Sequence, residues 1–194
     1  MVRLDKIYTR AGDGGRTRLA TGEEVAKWDL RVEAYGAVDE TNSALGVSRL
    51  HAGQEPALDA VLARIQNELF DLGADLATPE RDKPLPFEAL RIQADQVTAL
   101  EDDIDKLNAG LAPLTSFILP AGRPLCAYLH LARATSRRAE RAISQLMDDP
   151  GERVSADALR YANRLSDFLF VAARWANRTD GDVLWVPGGS RSGG

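Results

Sequence analysis

The stretch Pro56-Ala57-Leu58-Asp59-Ala60-Val61-Leu62-Ala63-Arg64-Ile65-Gln66-Asn67-Glu68-Leu69-Phe70-Asp71-Leu72-Gly73-Ala74-Asp75-Leu76-Ala77 decides the fold. Leu58, Val61, Leu62, Ile65, Leu69, Leu72 and Leu76 recur at steps of three and four residues. That spacing gathers them into one apolar stripe of an α-helix, which must bury itself against another element. Thr78-Pro79 stops the helix, and the Pro- and charge-rich run through Pro86 reads as a surface connection.

The same period extends to both sides. From Leu30, Tyr35, Val38, Asn42 and Leu45 share a face, and that segment ends near His51-Ala52-Gly53. A third helix is expected from about Glu88 to Asn108, carrying Val97, Leu100, Ile104 and Leu107, with Asn108-Ala109-Gly110 as its cap. The longest runs from about Arg123 to Asp148 and stops at Pro150-Gly151. The last runs from about Ser155 to Asn177, with Ser155 as N-cap and Asp157 in its first turn. Leu114 to Gly122 is too short for a helix and too apolar for a solvated loop. The tail Val183-Leu184-Trp185-Val186-Pro187 is expected to dock on the bundle, and Gly188 to Gly194 to fray. The fold class is therefore all-α: a five-helix, up-and-down bundle in a single domain, residues 1–194. Its parts are an irregular N-terminal loop (1–29), the bundle (30–178) and a tail (179–194).

Composition narrows the function. The 194 residues include 24 basic and 29 acidic side chains, a net charge of −5, so a generic nucleic-acid or anionic-membrane binder is disfavoured. One cysteine and two histidines exclude an internal disulfide and a Cys/His metal cage. No segment offers the ~20 apolar residues of a membrane helix. With no signal peptide read in Met-Val-Arg-Leu-Asp-Lys-Ile, a cytoplasmic protein is expected.

Three clusters carry chemistry. Thr9-Arg10-Ala11-Gly12-Asp13-Gly14-Gly15-Arg16-Thr17 is a glycine-rich loop whose backbone N–H groups, hydroxyls and arginines suit an anion. It is neither a Walker loop nor a dinucleotide fingerprint, and a solvated turn is its alternative. Arg133, Arg137 and Arg141 stand at i, i+4 and i+8, lining three guanidinium groups on one helix face beside Arg138 and Glu140. Carboxylates from neighbouring helices and a polyphosphate would hold such a row; the plainer account is a solvated face with local Arg–Glu pairs. Asp39 and Asn42, with Asn163 and Asp167, place polar groups beside apolar stripes; the arginine row is one partner for them, and an ordinary structural salt bridge is the alternative. Asp71 and Asp75 lack companion ligands for a metal. His51 and His130 read as structural, Cys126 as core, and most aromatic residues as packing.

These clusters occur in one order, and in that order the chain resembles the PduO-type ATP:cob(I)alamin adenosyltransferases. The matching pieces are Lys6 to Gly15, Arg31 to Ser43, Phe117-Ile118-Leu119-Pro120, Arg133 to Arg141, and Asn163-Arg164-Leu165-Ser166-Asp167. The resemblance implies a ferritin-like bundle assembled as a homotrimer, with active sites between adjacent subunits. It implies transfer of the 5′-deoxyadenosyl group of ATP to the cobalt of cob(I)alamin, giving adenosylcobalamin and triphosphate. Carried over, ATP falls to Thr9, Arg10, Ala11, Gly12, Thr17, Arg18 and Lys27, and to Arg137, Arg138, Ala139, Glu140, Arg141 and Asn163. Arg133 and Asp39 resemble the family's salt-bridge pair near the subunit interface, and Phe117 the aromatic residue under the corrin. Mg²⁺ is implied with ATP, held mainly by phosphates. A cob(II)alamin reductase and an adenosylcobalamin-dependent enzyme are the implied protein partners. The departures are Arg10 where the family often has Lys, and Ala11 where Thr is frequent.

The chemistry suits this inventory, because Co(I) is itself the nucleophile and no Ser, Cys or His nucleophile is needed. Two alternatives stand beside it: a non-catalytic ATP-binding sensor, and a structural oligomer whose arginines only staple helices. A stapling bundle needs neither the glycine-rich loop nor the apolar Phe117 segment, and a corrin-dependent spectral change separates the enzyme from a sensor.

Overall fold

The computed structural model describes residues 8–82 and 84–189. Lys6 and Ile7 of the N-terminal motif, and residues 190–194 of the tail expected to fray, lie outside them. Five helices form, α1 (Leu30–Arg49), α2 (Pro56–Leu76), α3 (Ala94–Asn108), α4 (Pro124–Met147) and α5 (Ala156–Ala176). α1 packs between α2 and α4, α4 against α5, and α5 against α3. The stripes meet where the periodicity puts them: Leu45, Leu62, Ile65, Leu129, Ile143, Phe168 and Leu169 are fully buried. No helix among the described residues is long and apolar enough to cross a membrane.

The ends of the helices follow local chemistry. Asp29 accepts from the Arg31 N–H at 2.9 Å and Ser155 Oγ from the Ala158 N–H at 3.1 Å, each satisfying an otherwise orphaned first-turn donor. Gly122 precedes α4 with φ +101°, and a Cβ there would stand 2.4 Å from the Asn177 side chain. That amide fills the space for a purpose. Asn177 Oδ1 accepts from the Arg123 N–H and its Nδ2 donates to Gly181 O, tying the start of α4 to the end of α5.

Two expectations are corrected. The N-terminal loop is not wholly irregular: β1 (Arg16–Arg18) and β2 (Glu24–Ala26) form an antiparallel hairpin, Thr17 facing Val25. And α3 begins at Ala94 rather than Glu88. The reason is Asp75, which is 3% exposed at the end of α2. Its carboxylate accepts from Arg91 Nη1 at 2.8 Å and from the Ile92 N–H at 2.9 Å, so these residues run extended across the α2 terminus. Only then does the reciprocal Gln93–Gln96 cap start the helix. The tail docks, but on the segment before α4: the Leu119 N–H donates to Val183 O and the Trp185 N–H to Phe117 O, each at 2.8 Å.

Arg31 joins the helix ends. It is 1% exposed, donates to Leu76 O at 2.6 Å, and is ion-paired with Glu152 in the α4–α5 connection. Glu152 also receives Arg81, which reaches Glu23 in the hairpin turn at 3.2 Å. Burial alone would raise the Glu152 carboxyl, but hydrogen bonds from Arg81 and Arg31 outweigh it and hold the group below its ordinary range. A carboxyl with a depressed folded-state pKa stabilises the fold above its unfolded value of about 4.3 and loses that contribution as pH falls further. Thermal unfolding of the native chain should therefore drop steeply below about pH 4.5, and that of Glu152→Gln should be flatter there. At neutral pH, Glu152→Gln should lose roughly 3 kcal/mol, because the buried Arg31 charge loses its partner. Melting curves from pH 3 to pH 7 measure both, and parallel curves would show that the pair does not carry the acid response.

Candidate active site

The arginine row lies where α4 meets α5. Arg137, Glu140, Arg141, Ser144 and Asn163 line a cleft of about 390 Å³. Asn163 Nδ2 donates to Glu140 Oε1 at 2.7 Å, Arg137 Nη1 lies 3.4 Å from Ser166 Oγ, and Arg141 donates to Arg137 O at 3.0 Å. Arg138 points the other way and pairs with Glu40 of α1; Ala139, between them, is buried. The row is thus opposed by carboxylates from its own helix and one neighbour, which offsets part of the like-charge repulsion. Arg137 nevertheless keeps half its side-chain surface exposed, leaving its donors available to an anion.

One helical turn toward the start of α4, the groove changes character. A cavity of about 540 Å³ is lined by Leu114, Phe117, Ile118, His130, Arg133 and Phe170, among others. Phe117 is 77% exposed although it lines this cavity, and the Trp185 ring stands 6.1 Å from it. Backbone pairing to the tail, together with Ser116 Oγ donating to Trp185 O at 2.8 Å, fixes the Phe117 segment. Burial, with Arg137 adding to it, pushes the Arg133 guanidinium below its ordinary pKa, and its Nε has no hydrogen-bond partner among the described residues.

The N-terminal loop builds a second concavity. Thr9, Ala11, Gly12, Thr17, Arg18 and Glu24 line about 420 Å³ of it. Arg10 has φ +61°, the only positive value outside glycine among the described residues, a local strain of the kind found in ligand-binding loops. A Cβ on Gly12 would meet Lys27 Nζ at 3.0 Å, so the ammonium lies directly against this backbone. The Lys27 N–H donates to Gly15 O at 2.9 Å, holding the hairpin base closed on the loop. Thr17 is also tied to α1. Burial raises the Tyr35 hydroxyl above its usual range and the Asp29 charge adds to this, while a hydrogen bond with Thr17 opposes it.

Within the chain these two sets stay apart: among the described residues no hydrogen bond or ion pair joins residues 9–29 to Arg137, Glu140, Arg141 or Asn163, whose partners are Ser166, one another and the backbone of their own helix. Asp39 does not meet Arg133 either. It is exposed on α1 and lines a groove of about 330 Å³ against α2, with Tyr35, Asn42 and Phe70. The expectation that the arginine row satisfies the other polar groups is corrected. Asn42 donates to Gln66 O at 3.0 Å, and Asp167 pairs with Arg164 at 2.8 Å. The aromatic residues are not all packing, since Trp28 is 78% and Phe70 72% exposed. His51 stacks on Tyr128 with centroids 4.9 Å apart, and Cys126 is buried with its thiol pushed up to about 11 by burial, as expected of structural residues. Asp75 is structural, as its contacts with Arg91 and Ile92 show, rather than half of a metal pair.

Sequence reasoning did not find the role of Trp185 beside Phe117 or the cavity position of His130. His130 precedes Arg133 by one helical step, and that i, i+3 spacing was the available signal.

The chain is similar to known proteins over nearly its whole length. A family model described as cobalamin adenosyltransferase matches residues 7–176. The chain is 48% identical over 191 residues to the corrinoid adenosyltransferase of Mycobacterium tuberculosis, covering 98% of each. It is 46% identical over 190 residues to that of Mycobacterium leprae, covering 97% of this chain and 99% of the relative. A variant PduO-type ATP:corrinoid adenosyltransferase from Lactobacillus reuteri, solved with cobalamin and ATP, superposes with TM-score 0.83 at 41% identity. That match covers 93% of this chain and 99% of the other.

The hairpin hangs from the bundle by the Arg81–Glu23 pair and by the Ala20 N–H donating to Ala77 O at 2.9 Å. Glu23→Gln removes only the exposed end of this chain of charges. Melting should change by less than about 1 kcal/mol, while amide exchange over residues 16–26 should accelerate several-fold. Unchanged exchange would mean the ion pair does not anchor the hairpin.

Proposed function

The chain belongs to the cobalamin adenosyltransferase family, and on that premise we propose that the α4–α5 groove, completed by the N-terminal loop, is where its ATP:corrinoid adenosyl transfer takes place. The observation that carries this is the juxtaposition along α4 of an apolar cavity beside Phe117 and a basic cleft at Arg137, one helical turn apart. The first suits the face of a flat macrocycle, the second a polyphosphate.

In this reading cob(I)alamin attacks the 5′-carbon of ATP: a cobalt–carbon bond forms, the carbon–oxygen bond breaks, and triphosphate leaves with the electron pair. Holding cobalt, carbon and leaving oxygen in line can supply roughly 7–11 kcal/mol. Negative charge grows on the departing triphosphate. Arg137, Arg141 and Lys27, with the N–H groups of residues 9–12, are aimed to stabilise it. Thr9, Arg10, Ala11, Gly12, Thr17 and Arg18 bind phosphate in the loop, while Arg138, Ala139, Glu140 and Asn163 shape the nucleotide cleft. Phe117 excludes water and a lower axial base from the cobalt, which eases reduction of Co(II) to Co(I) by a reductase partner. Mg²⁺ fits as the companion of the triphosphate, with oxygen donors from phosphate and water. The described residues offer no group of three carboxylate, imidazole or thiolate side chains to cage it.

The separation of the loop from the groove supports assembly as a homotrimer in which the loop of one copy faces the groove of the next. Asp39 would then meet Arg133 of a neighbouring copy, giving that buried Nε its partner. Handing the product to an adenosylcobalamin-dependent enzyme in the cytoplasm completes the reading.

The test is an anaerobic absorbance assay with ATP, Mg²⁺ and chemically reduced cob(I)alamin, with triphosphate measured alongside. Conversion to adenosylcobalamin matched one-to-one by triphosphate is the expected outcome; ATP binding without conversion would favour a sensor. Phe117→Ala should lower kcat on the order of 10²-fold while KM for ATP stays within a few-fold. Equal losses in both would remove Phe117 from this role. Arg137→Ala should lower kcat/KM for ATP by about 10²-fold.

A further inference from the structure

The corrinoid cavity contains one buried polar group that the proposed chemistry does not use. His130 is 3% exposed and lines the cavity with Phe117, Arg133 and Phe170. Neither of its ring nitrogens has a hydrogen-bond partner among the described residues. Its ring meets Phe170 edge-on, with centroids 6.2 Å apart and an interplanar angle of 69°. A phenylalanine would fill the same space without the cost of two unsatisfied polar atoms. The other histidine shows the contrast, since His51 gains a stacked partner in Tyr128.

The surroundings define what the imidazole can offer. Burial and the Arg133 charge both disfavour its protonated form, and Asp182 opposes them less strongly. The ring is therefore neutral at pH 7, with one N–H donor and one bare acceptor nitrogen. Hydroxyls of Thr115 and Ser116 border the same cavity, and Ser116 is already committed to Trp185 O. A primary carboxamide serves either ring nitrogen, because its carbonyl accepts from the N–H and its NH₂ donates to the bare nitrogen. The rim of a corrin ring carries such carboxamides.

Resting on the corrinoid reading of this cavity, we propose that His130 is a positioning residue that hydrogen-bonds a peripheral carboxamide of the corrin and so fixes the rotation of the ring above Phe117. The residue is kept at a cost to the unliganded fold in return for orientation of the substrate.

His130→Phe tests this, because it keeps a flat aromatic ring of similar shape beside Phe170 while removing both nitrogens. Spectral titration with cob(II)alamin should give a Kd raised roughly 5- to 100-fold, the worth of one hydrogen bond to a buried group. KM for ATP should be unchanged and Tm equal or higher, since an unsatisfied buried group has gone. His130→Asn, which keeps a donor and an acceptor, should restore part of the affinity, and it decides the matter if His130→Phe does not fold. An unchanged Kd would overturn the proposal, as would a lowered Tm with equal losses for both substrates, or dissociation of an oligomer. If the native chain binds ATP but no corrinoid, the reading of the cavity itself fails. If it binds cob(II)alamin and His130→Phe binds equally well, only the role of His130 fails.

Discussion

A guanidinium buried to 1% exposure has few places to put its donors, and Arg31 directs them to two separate pieces of chain: the C-terminal carbonyl of α2 and, in the α4–α5 connection, the Glu152 carboxylate and the Arg153 carbonyl at 3.4 Å. Because such a charge is tolerated only when nearly every donor is met, the start of α1, the end of α2 and the α4–α5 connection are held in one relative arrangement. Glu152 passes the constraint to Arg81, and Arg81 passes it to the hairpin turn at Glu23. The position of the glycine-rich loop is thus set by a charge network rooted in the bundle, not by apolar burial of its own. Of its hairpin region only Leu19 is buried.

The groove between α4 and α5 follows a different logic. Its residues are arranged against the preferences of a free-standing fold: three arginines on one helix face, a phenylalanine left in solvent, and an imidazole and a guanidinium nitrogen buried without hydrogen-bond partners among the described residues. Each lowers stability or solubility by itself. Their concentration along one groove is what the proposed ligand chemistry would require, since a chain can give up stability where it binds. The Lys27 ammonium against Gly12 and the positive φ of Arg10 place the same signature in the loop.

The helical elements were legible because periodicity is a property of one segment at a time. Leu58 to Leu76 announces a buried stripe whatever it packs on, and Ser155 caps α5 through a contact three residues away. The start of α3 was not legible, since Arg91 and Ile92 are held at the α2 terminus by Asp75, which is distant in sequence. The partner of Asn42 escaped for the same reason: Gln66, on the next helix, is a structural amide with no motif to announce it. The arginine row was visible as a row, but its division into groove-facing Arg137 and α1-facing Arg138 depends on Ser166 and Glu40.

The sequence by itself determined the five helices, the glycine-rich loop, the family and with it the reaction, because repeating local patterns and linear motifs survive without coordinates. Only the tertiary structure decided that the apolar cavity and the basic cleft are successive turns of one groove. It also decided that the loop and Asp39 lie apart from that groove within a chain, and that His130 faces the cavity with no hydrogen-bond partner among the described residues. These are consequences of which helix packs on which, and that is settled by contacts between residues far apart in the chain.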